Sequence, residues 1–475
     1  MSRSSIVIVG GGISGLAAAW ELTGGEAGPN ESTQRVELIE ASERCGGSLA
    51  TTTFAGRTID LGADGFLARR PEAVALALEL GLEAELEAIA ESGAWLYSRG
   101  SLHELPHGGL VLGVPTSLET VRKFKGLGWR ARTGATRDAF LPARLHVGND
   151  ISIGDITRRK LGRELSYQFI EPMIGGIQAG RIDELSAKEV FPALYAAAQA
   201  GGSLMRALRP VPVASAPTTP LFYSLIDGVG SLPAQLESQL TERGVVIRTN
   251  VAVTALRRTP AGSYPLEVDT SSTTTPANGV VLAAPAPVAG ALIGSFDPAL
   301  EQLRSIDSAS AAIVTFSIPR NAVTLPVRGT GVLVPLHTHW AGQGSMMVTA
   351  LTFLDRKWPH LYRSEDVLLR AHVGRSDDTR WNELTDDELI ARLNSELAVL
   401  LPKWGRPTES LVQRWPDGLP QYRVGHEQLV ERARAASVKH RVTLAGNAYD
   451  GVGVPASIGS GRRAARELLL LTDEH

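Results

Sequence analysis

The chain holds one cysteine, Cys45, in 475 residues. That excludes an internal disulfide framework and a zinc site built on cysteine, and it fits a reducing compartment. Long apolar runs are missing as well. No stretch approaches the ~20 residues that cross a bilayer, so a spanning helix is excluded and contact with one leaflet is left open. The net charge is only −3, and no global field favours nucleic acid. There is no recognisable Ser/His/Asp set and no cluster with metal-ligand spacing. No signal peptide is expected either, because the N-terminus enters an apolar strand almost at once and glycines interrupt it. The remaining composition, 43% hydrophobic and 20% charged, is that of an ordinary globular protein. The length allows about three domain-sized lobes.

Against these absences stands one strong feature. Residues Ile6 to Leu22 read IVIVGGGISGLAAAWEL. An apolar β-branched run ends in Gly10, Gly12 and Gly15, and a small-residue helix follows. Gly10 allows the tight turn, Gly12 lets a phosphate approach the backbone, and Gly15 lets helix and strand pack closely. The helix N-terminus then faces the anion. A second apolar strand, Val36 to Glu40, ends in an acid, so Glu40 is the candidate ribose ligand. Its distance from Gly15 exceeds the usual ~20 residues, and the excess sits in a polar Gly/Pro stretch, Gly24 to Arg35, which reads as an inserted loop.

Further along, glycine-bearing turns at Cys45-Gly46-Gly47 and at Gly62 to Gly65 lie where backbone can approach a ligand. A helix is expected from Pro71 to Leu82, and two short strands with a Gly/Pro-rich stretch over 95–118. Residues 119–210 read as mostly helical, and 211–220 as a linker. Asp227 to Leu232 opens a helix to about Arg243, before strands at Val245–Thr249 and Gly279–Ala284. Residues 310–375 alternate like antiparallel strands. Within the helical block, 121–144 carries seven cations against the single acid Asp138, with Phe124, Leu127, Trp129 and Phe140 interleaved. Such a stretch is a solvated helical face, or a patch resting on anionic lipid.

The last 35 residues repeat the logic of the first: strand Arg441 to Ala445, a glycine-rich turn from Gly446 to Gly461, then a helix. A second helix N-terminus offers free N–H groups to something anionic or electron-rich. An NAD domain has no need of it. A flavin does, because its O2/N1 edge gains negative charge on reduction.

With these motifs the chain resembles the flavin-dependent protoporphyrinogen/coproporphyrinogen oxidases, within the amine oxidase-like flavoproteins. The residues that carry the resemblance are Gly10 to Ala18; Leu105-Pro106 with Leu112 to Thr116; Gly176-Ile177-Gln178-Ala179-Gly180 with Leu185-Ser186; Leu419 to Tyr422 with Val424-Gly425-His426; and Gly446-Asn447, Tyr449, Gly451 to Pro455 and Ser460-Gly461. The resemblance implies an α/β fold with three parts. A segmented, Rossmann-like FAD-binding domain would take 1–85, 221–285 and 440–475. A mixed-sheet substrate domain would take 86–118 and 286–439. A helical, membrane-associated lobe would take 119–220. It also implies oxidation of a porphyrinogen, coproporphyrinogen III or protoporphyrinogen IX, to the porphyrin of haem biosynthesis, with dioxygen consumed and hydrogen peroxide released.

Position by position, the resemblance implies FAD contacts at Gly10, Gly11, Gly12, Ile13, Ser14 and Gly15, at Glu40, Ala41 and Ser48, and at Gly62, Ala63, Asp64 and Gly65. Val251 would hold the adenine through its backbone, and Trp415, Val452, Gly453 and Val454 would reach the flavin. Gly176 would lie over the flavin, its backbone meeting the substrate. His372 stands where related chains have an aromatic and becomes a candidate substrate contact. Ala94 stands where many eukaryotic relatives have a basic residue, so the propionate anchor is open. Arg99 reads as a solvated turn, His103, His107 and His426 as structural or exposed, and Cys45 as a small spacer.

The C-terminal half has no cysteine to tether FAD, so the cofactor is expected to be non-covalent. Other readings on the same fold are a flavin amine oxidase, a carotenoid desaturase, or a flavin-free prenyl-binding protein of the escort type. The expected partners are a porphyrinogen and dioxygen, with no metal and no nucleic acid. The oligomeric state is open. The expected location is the cytoplasm, with peripheral contact at the inner leaflet left open.

Overall fold

The structure, a computed structural model, describes residues 4–29, 34–142, 145–210, 220–259, 264–340 and 344–473. Arg144 of the basic stretch, 211–219 of the expected linker and 30–33 of the expected inserted loop lie outside them.

Five short strands form a parallel sheet in the order Val246–Arg248, Arg35–Ile39, Ser5–Val9, Gly279–Leu282, Val442–Leu444. The first and last segments of the chain thus share one sheet. Strand alternation sends Ile6 and Ile8 to one face and Val7 and Val9 to the other. Both faces are covered, as a parallel sheet requires. Helices Ile13–Leu22, Ser231–Glu242 and Val454–Asp473 lie over the Ile6/Ile8 face. Over the Val7/Val9 face lie an antiparallel sheet, Val253–Arg258, Leu266–Thr270 and Thr274–Ala277, and helices Ala286–Ile293 and His426–Ser437. Those two helices were expected in the substrate-binding part. They pack here because Ala286, Ala289, Ile293, Val430 and Ala433 complete this core.

A seven-stranded mixed sheet runs in the order Glu409–Pro420, Ser308–Pro319, Asp366–Val373, Val348–Phe353, Gly331–Leu333, Trp95–Ser98, Ser101–Glu104. All its pairs are antiparallel except Gly331–Leu333 with Trp95–Ser98. One face is closed by helix Asp386–Leu400, whose capping box pairs Thr385 with Glu388. The third unit is helical, with Leu118–Lys123, Trp129–Phe140, Ile153–Leu161, Glu171–Gln178 and Pro192–Ala200 around its own core. Phe124 and Leu127, read as part of either a solvated face or a lipid-resting patch, are inside that core. Trp129 and Phe140 are 69% and 68% exposed.

The C-terminal helix lies along the N-terminal one, and small residues set the approach. A Cβ on Gly461 would fall on the Ser14 carbonyl oxygen. Arg462 reaches Glu79 with two parallel bonds of 2.8 and 2.6 Å, and Glu79 also accepts from Trp20 Nε1 at 2.8 Å. Gly459, two residues earlier, meets nothing closer than 3.4 Å. Alanine gains about 1 kcal/mol over glycine inside a helix, whereas overpacking against backbone costs about 1–3 kcal/mol. Gly461→Ala is therefore expected to lower the denaturant midpoint, and Gly459→Ala to leave it unchanged or raise it, with urea unfolding as the measurement.

Candidate functional site

A cleft of about 640 Å³ opens along the C-terminal ends of the parallel strands. Ligands bind at this edge of open α/β sheets. Gly10 has φ +105°, and a Cβ there would stand 2.7 Å from the Ala283 carbonyl oxygen. A Cβ on Gly15 would fall on the Gly10 carbonyl oxygen. Gly12 differs from both. It precedes helix Ile13–Leu22 with φ −64°, no side chain caps that helix, and a Cβ would meet no protein atom within 4 Å. The uncapped N–H groups therefore face open space, which suits an anion. Gly12, Ile13, Ser14, Ala41 and Ser48 line this cleft, as do Gly10, Glu40, Val251 and Trp415.

Several expected contacts have other duties. The Gly11 N–H donates to Glu40 Oε2 at 2.6 Å, and Ser42 donates to Oε1 from N and Oγ at 2.8 and 2.6 Å. Glu40 thus shapes the glycine turn, and Oε2 keeps acceptor capacity for a ribose hydroxyl. Gly11 itself does not line the cleft; a Cβ there would press on Cys45 Sγ and the Glu40 stem. The Val251 N–H is spent on the Glu40 carbonyl at 3.0 Å, so only its carbonyl is left for an adenine amino group. Cys45 is buried, and desolvation, aided by Glu237 and Glu40, pushes its thiol up to about 12. It is an inert spacer beside the turn.

The turn from Gly62 to Gly65 lies outside the lining of this cleft. Its glycines answer to packing: a Cβ on Gly62 would fall on the Ser48 carbonyl, and one on Gly65 would stand 2.5 Å from Trp358. The mixed sheet holds the turn through side chains. Arg370, 2% exposed, donates to the Gly62 carbonyl at 3.1 Å and to the Asp60 carbonyl. Trp415 Nε1 donates to the Leu61 carbonyl at 3.0 Å. Lys357 and Trp358 bind the Asp64 carboxylate at 2.8 and 3.2 Å. Burial by itself would raise that carboxyl, but Lys357 and Arg370 outweigh it and hold Asp64 well below the usual carboxylate range. Asp64 is thus a structural anion, and Ala63 sits within this strutted turn.

At the other end, Gly446, Asn447, Ala448 and Ser457 line the same cleft as Gly12. Asp450 ties this turn down, accepting from Arg434 at 2.6 Å, Arg463 at 3.1 Å and Ser460. Gly453 is exposed, with φ +105° and open space where a Cβ would be. Val454 opens the last helix and is buried. Val452, Gly453 and Val454 stand beside the lining residues rather than among them. Sequence reasoning missed Asn447 and Ser457, and also Ala283 to Pro285 and Pro416 on the opposite wall. The Ala284-Pro285 strand end was the available signal.

The open face of the mixed sheet carries a single register line: Gln413, Ile313, His372, Ala350, Leu333, Leu96, His103. Residues in register project to the same side. Helix Glu171–Gln178 packs over strands Gly331–Leu333 and Val348–Phe353, with Gly176 3.7 Å from Leu333 Cδ2, measured from the position of a Cβ. Gly176 and Ile177 are exposed toward solvent. A buried pair sets this helix: Arg375 donates to Glu171 at 2.5 Å and to the Gly180 carbonyl at 2.9 Å. His372 Nε2 lies 3.2 Å from Thr352 Oγ1. Burial first, then Arg370 and Lys357, push its imidazole down to about 4, with Asp64 opposing. It is neutral at pH 7.

His103, His107 and His426 are structural or exposed. His426 bonds the Ala448 carbonyl at 2.9 Å and stacks on Tyr422; His103 sits between Ser101 and the Ser98 carbonyl; His107 pairs with Glu104 at the surface. Arg99 is an exposed hairpin-turn residue with φ +56°. Among the described residues no group of three or more His, Cys, Asp or Glu is placed to hold a metal.

The family model described as "Flavin containing amine oxidoreductase" matches residues 13–469. A protein of Bacillus subtilis (strain 168) named coproporphyrinogen III oxidase is 32% identical, the match covering 98% of each chain. One of the same name from Mycobacterium leprae (strain TN) is 34% identical, over 98% of this chain and 99% of that one. A crystal structure of a protein from Exiguobacterium sp. 255-15 superposes with a TM-score of 0.85 at 32% identity, covering 99% of each chain.

Two outcomes are expected from the site's geometry. Gly12→Ala puts a methyl into space that only a ligand would fill, at a φ that alanine accepts. It should leave unfolding of the flavin-free protein unchanged within about 0.5 kcal/mol while lowering flavin content in equilibrium dialysis. His372 has an ordinary pKa of 6.5 when unfolded and about 4 when folded. The unfolded chain therefore binds the extra proton between these values. Stability present above pH 6.5 should fall as pH drops toward 4, by at most about 3–4 kcal/mol at 1.36 kcal/mol per unit. Urea unfolding of His372→Phe should lack this component.

Proposed function

Since the chain belongs to the flavin-containing amine oxidoreductases and its cofactor is FAD, we propose that it oxidises a porphyrinogen to the corresponding porphyrin in haem biosynthesis, with dioxygen as the final acceptor. The observation that carries this reading is the near-full-length similarity to two proteins named coproporphyrinogen III oxidase. The cleft fits the cofactor: an uncapped helix start and an open Gly12 at one end, and a second glycine turn and helix start at the other. Gly10, Gly12, Ile13 and Ser14 would hold the pyrophosphate, Glu40 and Val251 the adenosine, and Val452 to Val454 with Trp415 the ring. When bound, the flavin supplies a two-electron acceptor that dioxygen re-oxidises with release of hydrogen peroxide. The single cysteine is buried at position 45, which supports non-covalent binding.

The chain's own part in the reaction is positioning. Each round removes two hydrogens and lengthens conjugation, and the third yields an aromatic ring, so the chemistry is downhill. What it needs is a dry apolar surface that holds a meso carbon in one place. Ile313, Ala350 and Leu333 supply that surface on the sheet. Gly176 on the facing helix carries no side chain to obstruct a flat macrocycle. The buried Arg375–Glu171 pair keeps helix and sheet at a set separation. Of the two porphyrinogens, coproporphyrinogen III is the one named for the Bacillus and Mycobacterium relatives, while the Exiguobacterium protein is named for protoporphyrinogen.

The same reading assigns the 1–85, 221–285 and 440–475 segments, together with helices Ala286–Ile293 and His426–Ser437, to the cofactor and the mixed sheet to the substrate. Separate cores under the two sheets support it. The protein is cytoplasmic in this proposal, with its helical unit touching anionic lipid. Trp129, Phe140 and Leu141 stand exposed among Arg130, Arg132 and Arg137, a combination suited to that contact. Among the described residues, no helix is long and apolar enough to cross a membrane.

Stopped-flow mixing without oxygen is the direct test. Coproporphyrinogen III should bleach the flavin absorbance, and protoporphyrinogen IX should do so more slowly. With oxygen, three equivalents of hydrogen peroxide should accompany each porphyrin. A flavin that neither porphyrinogen reduces would refute the proposal.

A further inference from the structure

Porphyrinogen oxidation moves protons as well as electrons. Each two-electron round takes a hydride from a meso carbon and a proton from a pyrrole N–H, and one meso C–H proton shifts to nitrogen by tautomerisation between rounds, so that three rounds remove four meso and two N–H hydrogens in all. The apolar surface described above handles position but offers few groups for the proton. Across the seven-stranded register line, the residues that can take up a proton are His372 and His103. His103 lies edge-on to Phe124, with Nε2 already between Ser101 and the Ser98 carbonyl. His372 sits mid-sheet between Ile313 and Ala350, part-buried, one strand from Leu333's neighbour and within the field of the strutted turn.

Its surroundings suit a neutral acceptor. Nε2 is turned toward Thr352 Oγ1 at 3.2 Å, and the Thr349 hydroxyl holds the His372 carbonyl at 3.1 Å. In the tautomer that donates Nε2–H to Thr352 Oγ1, Nδ1 carries a lone pair, and no partner for it is found among the described residues. The charged groups that face the ring are Arg370 on its own strand, Lys357 beyond the neighbouring strand, and Asp64 on the turn. Two cations against one anion disfavour an imidazolium, and so does burial. On the facing helix, Met173, Gly176 and Ile177 do not titrate, and Glu171 is paired with Arg375. The ring therefore stays unprotonated and free to accept at neutral pH.

We propose that His372 accepts the pyrrole N–H proton as the adjacent meso carbon loses hydride. One C–H and one N–H bond break. The electron pair of the C–H bond leaves with the hydride to the bound flavin, the N–H electrons stay on nitrogen, and an azafulvene forms, with a new C=C bond between the meso carbon and its pyrrole α-carbon and a new C=N bond from the nitrogen to the other α-carbon. The proton on His372 then passes to solvent, the imidazole is neutral again, and the meso-to-nitrogen proton shift between rounds restores the number of N–H hydrogens that the final porphyrin keeps. The nitrogen becomes strongly acidic as hydride departs, so a weakly basic imidazole suffices. The proposal rests on the porphyrinogen reading above.

The test compares wild type with His372→Asn, His372→Phe and His372→Ala. Two quantities are followed: the rate of anaerobic flavin reduction by coproporphyrinogen III, and the affinity of flavin-free protein for coproporphyrin III by fluorescence quenching. Loss of a positioned base costs about 10²–10⁴-fold in rate. The expected result is a fall of that size in all three variants, porphyrin affinity within threefold of wild type, and partial recovery of His372→Ala by added imidazole. Reduction of His372→Asn within threefold of the wild-type rate overturns the proposal. So does a rate loss matched by an equal loss of porphyrin affinity without imidazole recovery, since His372 would then be only a contact. A wild-type flavin that porphyrinogens do not reduce at all overturns the parent reading, and this one with it.

Discussion

The packing of the last helix on the first is the contact on which the site depends. Gly461 lets Val454–Asp473 lie directly on the backbone of Ile13–Leu22 at Ser14. That brings two helix N-termini, from opposite ends of the chain, to one cleft lined by Gly12 and Gly446. A dinucleotide with a charged middle and a reducible ring needs N–H groups at both places. Neither turn by itself supplies them. The Arg462–Glu79–Trp20 bonds hold the two helices against sliding.

A second constraint joins the cofactor sheet to the mixed sheet. The turn from Asp60 to Gly65 belongs to the first unit by sequence, yet Arg370, Trp415 and Lys357 grip it from the second. Burying that many charges is costly unless each is satisfied. Asp64 is ionised between Lys357 and Trp358, and Arg370 ends on backbone carbonyls. Asp60 accepts from Val229 and Gly230, and burial still raises its carboxyl to about 7. Burial first, and then the same cations that fix the turn, keep His372 neutral. The fixed turn and the neutral state of His372 thus share one cluster of charges.

Much of the dinucleotide site was legible in the residues themselves. Gly10, Gly12 and Gly15 each do what a strand–turn–helix unit demands, and the strands were located within one or two residues of their ends. Side-chain duties were less legible. Asp64 reads as a turn residue near a ligand, and its partner Lys357 lies 293 positions away. Glu40 reads as a ribose ligand, and it also braces Gly11. Phe124 and Trp129 are equivalent as interleaved aromatics; packing buried one and left the other exposed. The helices at 286–293 and 426–437 joined the cofactor unit because the Val7/Val9 face of its sheet needed covering, a requirement invisible in either segment.

The sequence by itself determined the chemistry that needs only neighbours in the chain: where glycine must stand for a tight turn, which strands are apolar on both faces, and that no disulfide forms within the chain. It also carried enough motif spacing to point to a flavin. Tertiary structure alone decided which residues meet: Gly461 with Ser14, Arg370 with Gly62, Arg375 with Glu171, and the register that sets His372 between Ile313 and Ala350. The physical reason is that register and helix approach come from long-range packing, in which a one-residue slip turns every strand side chain to the opposite face.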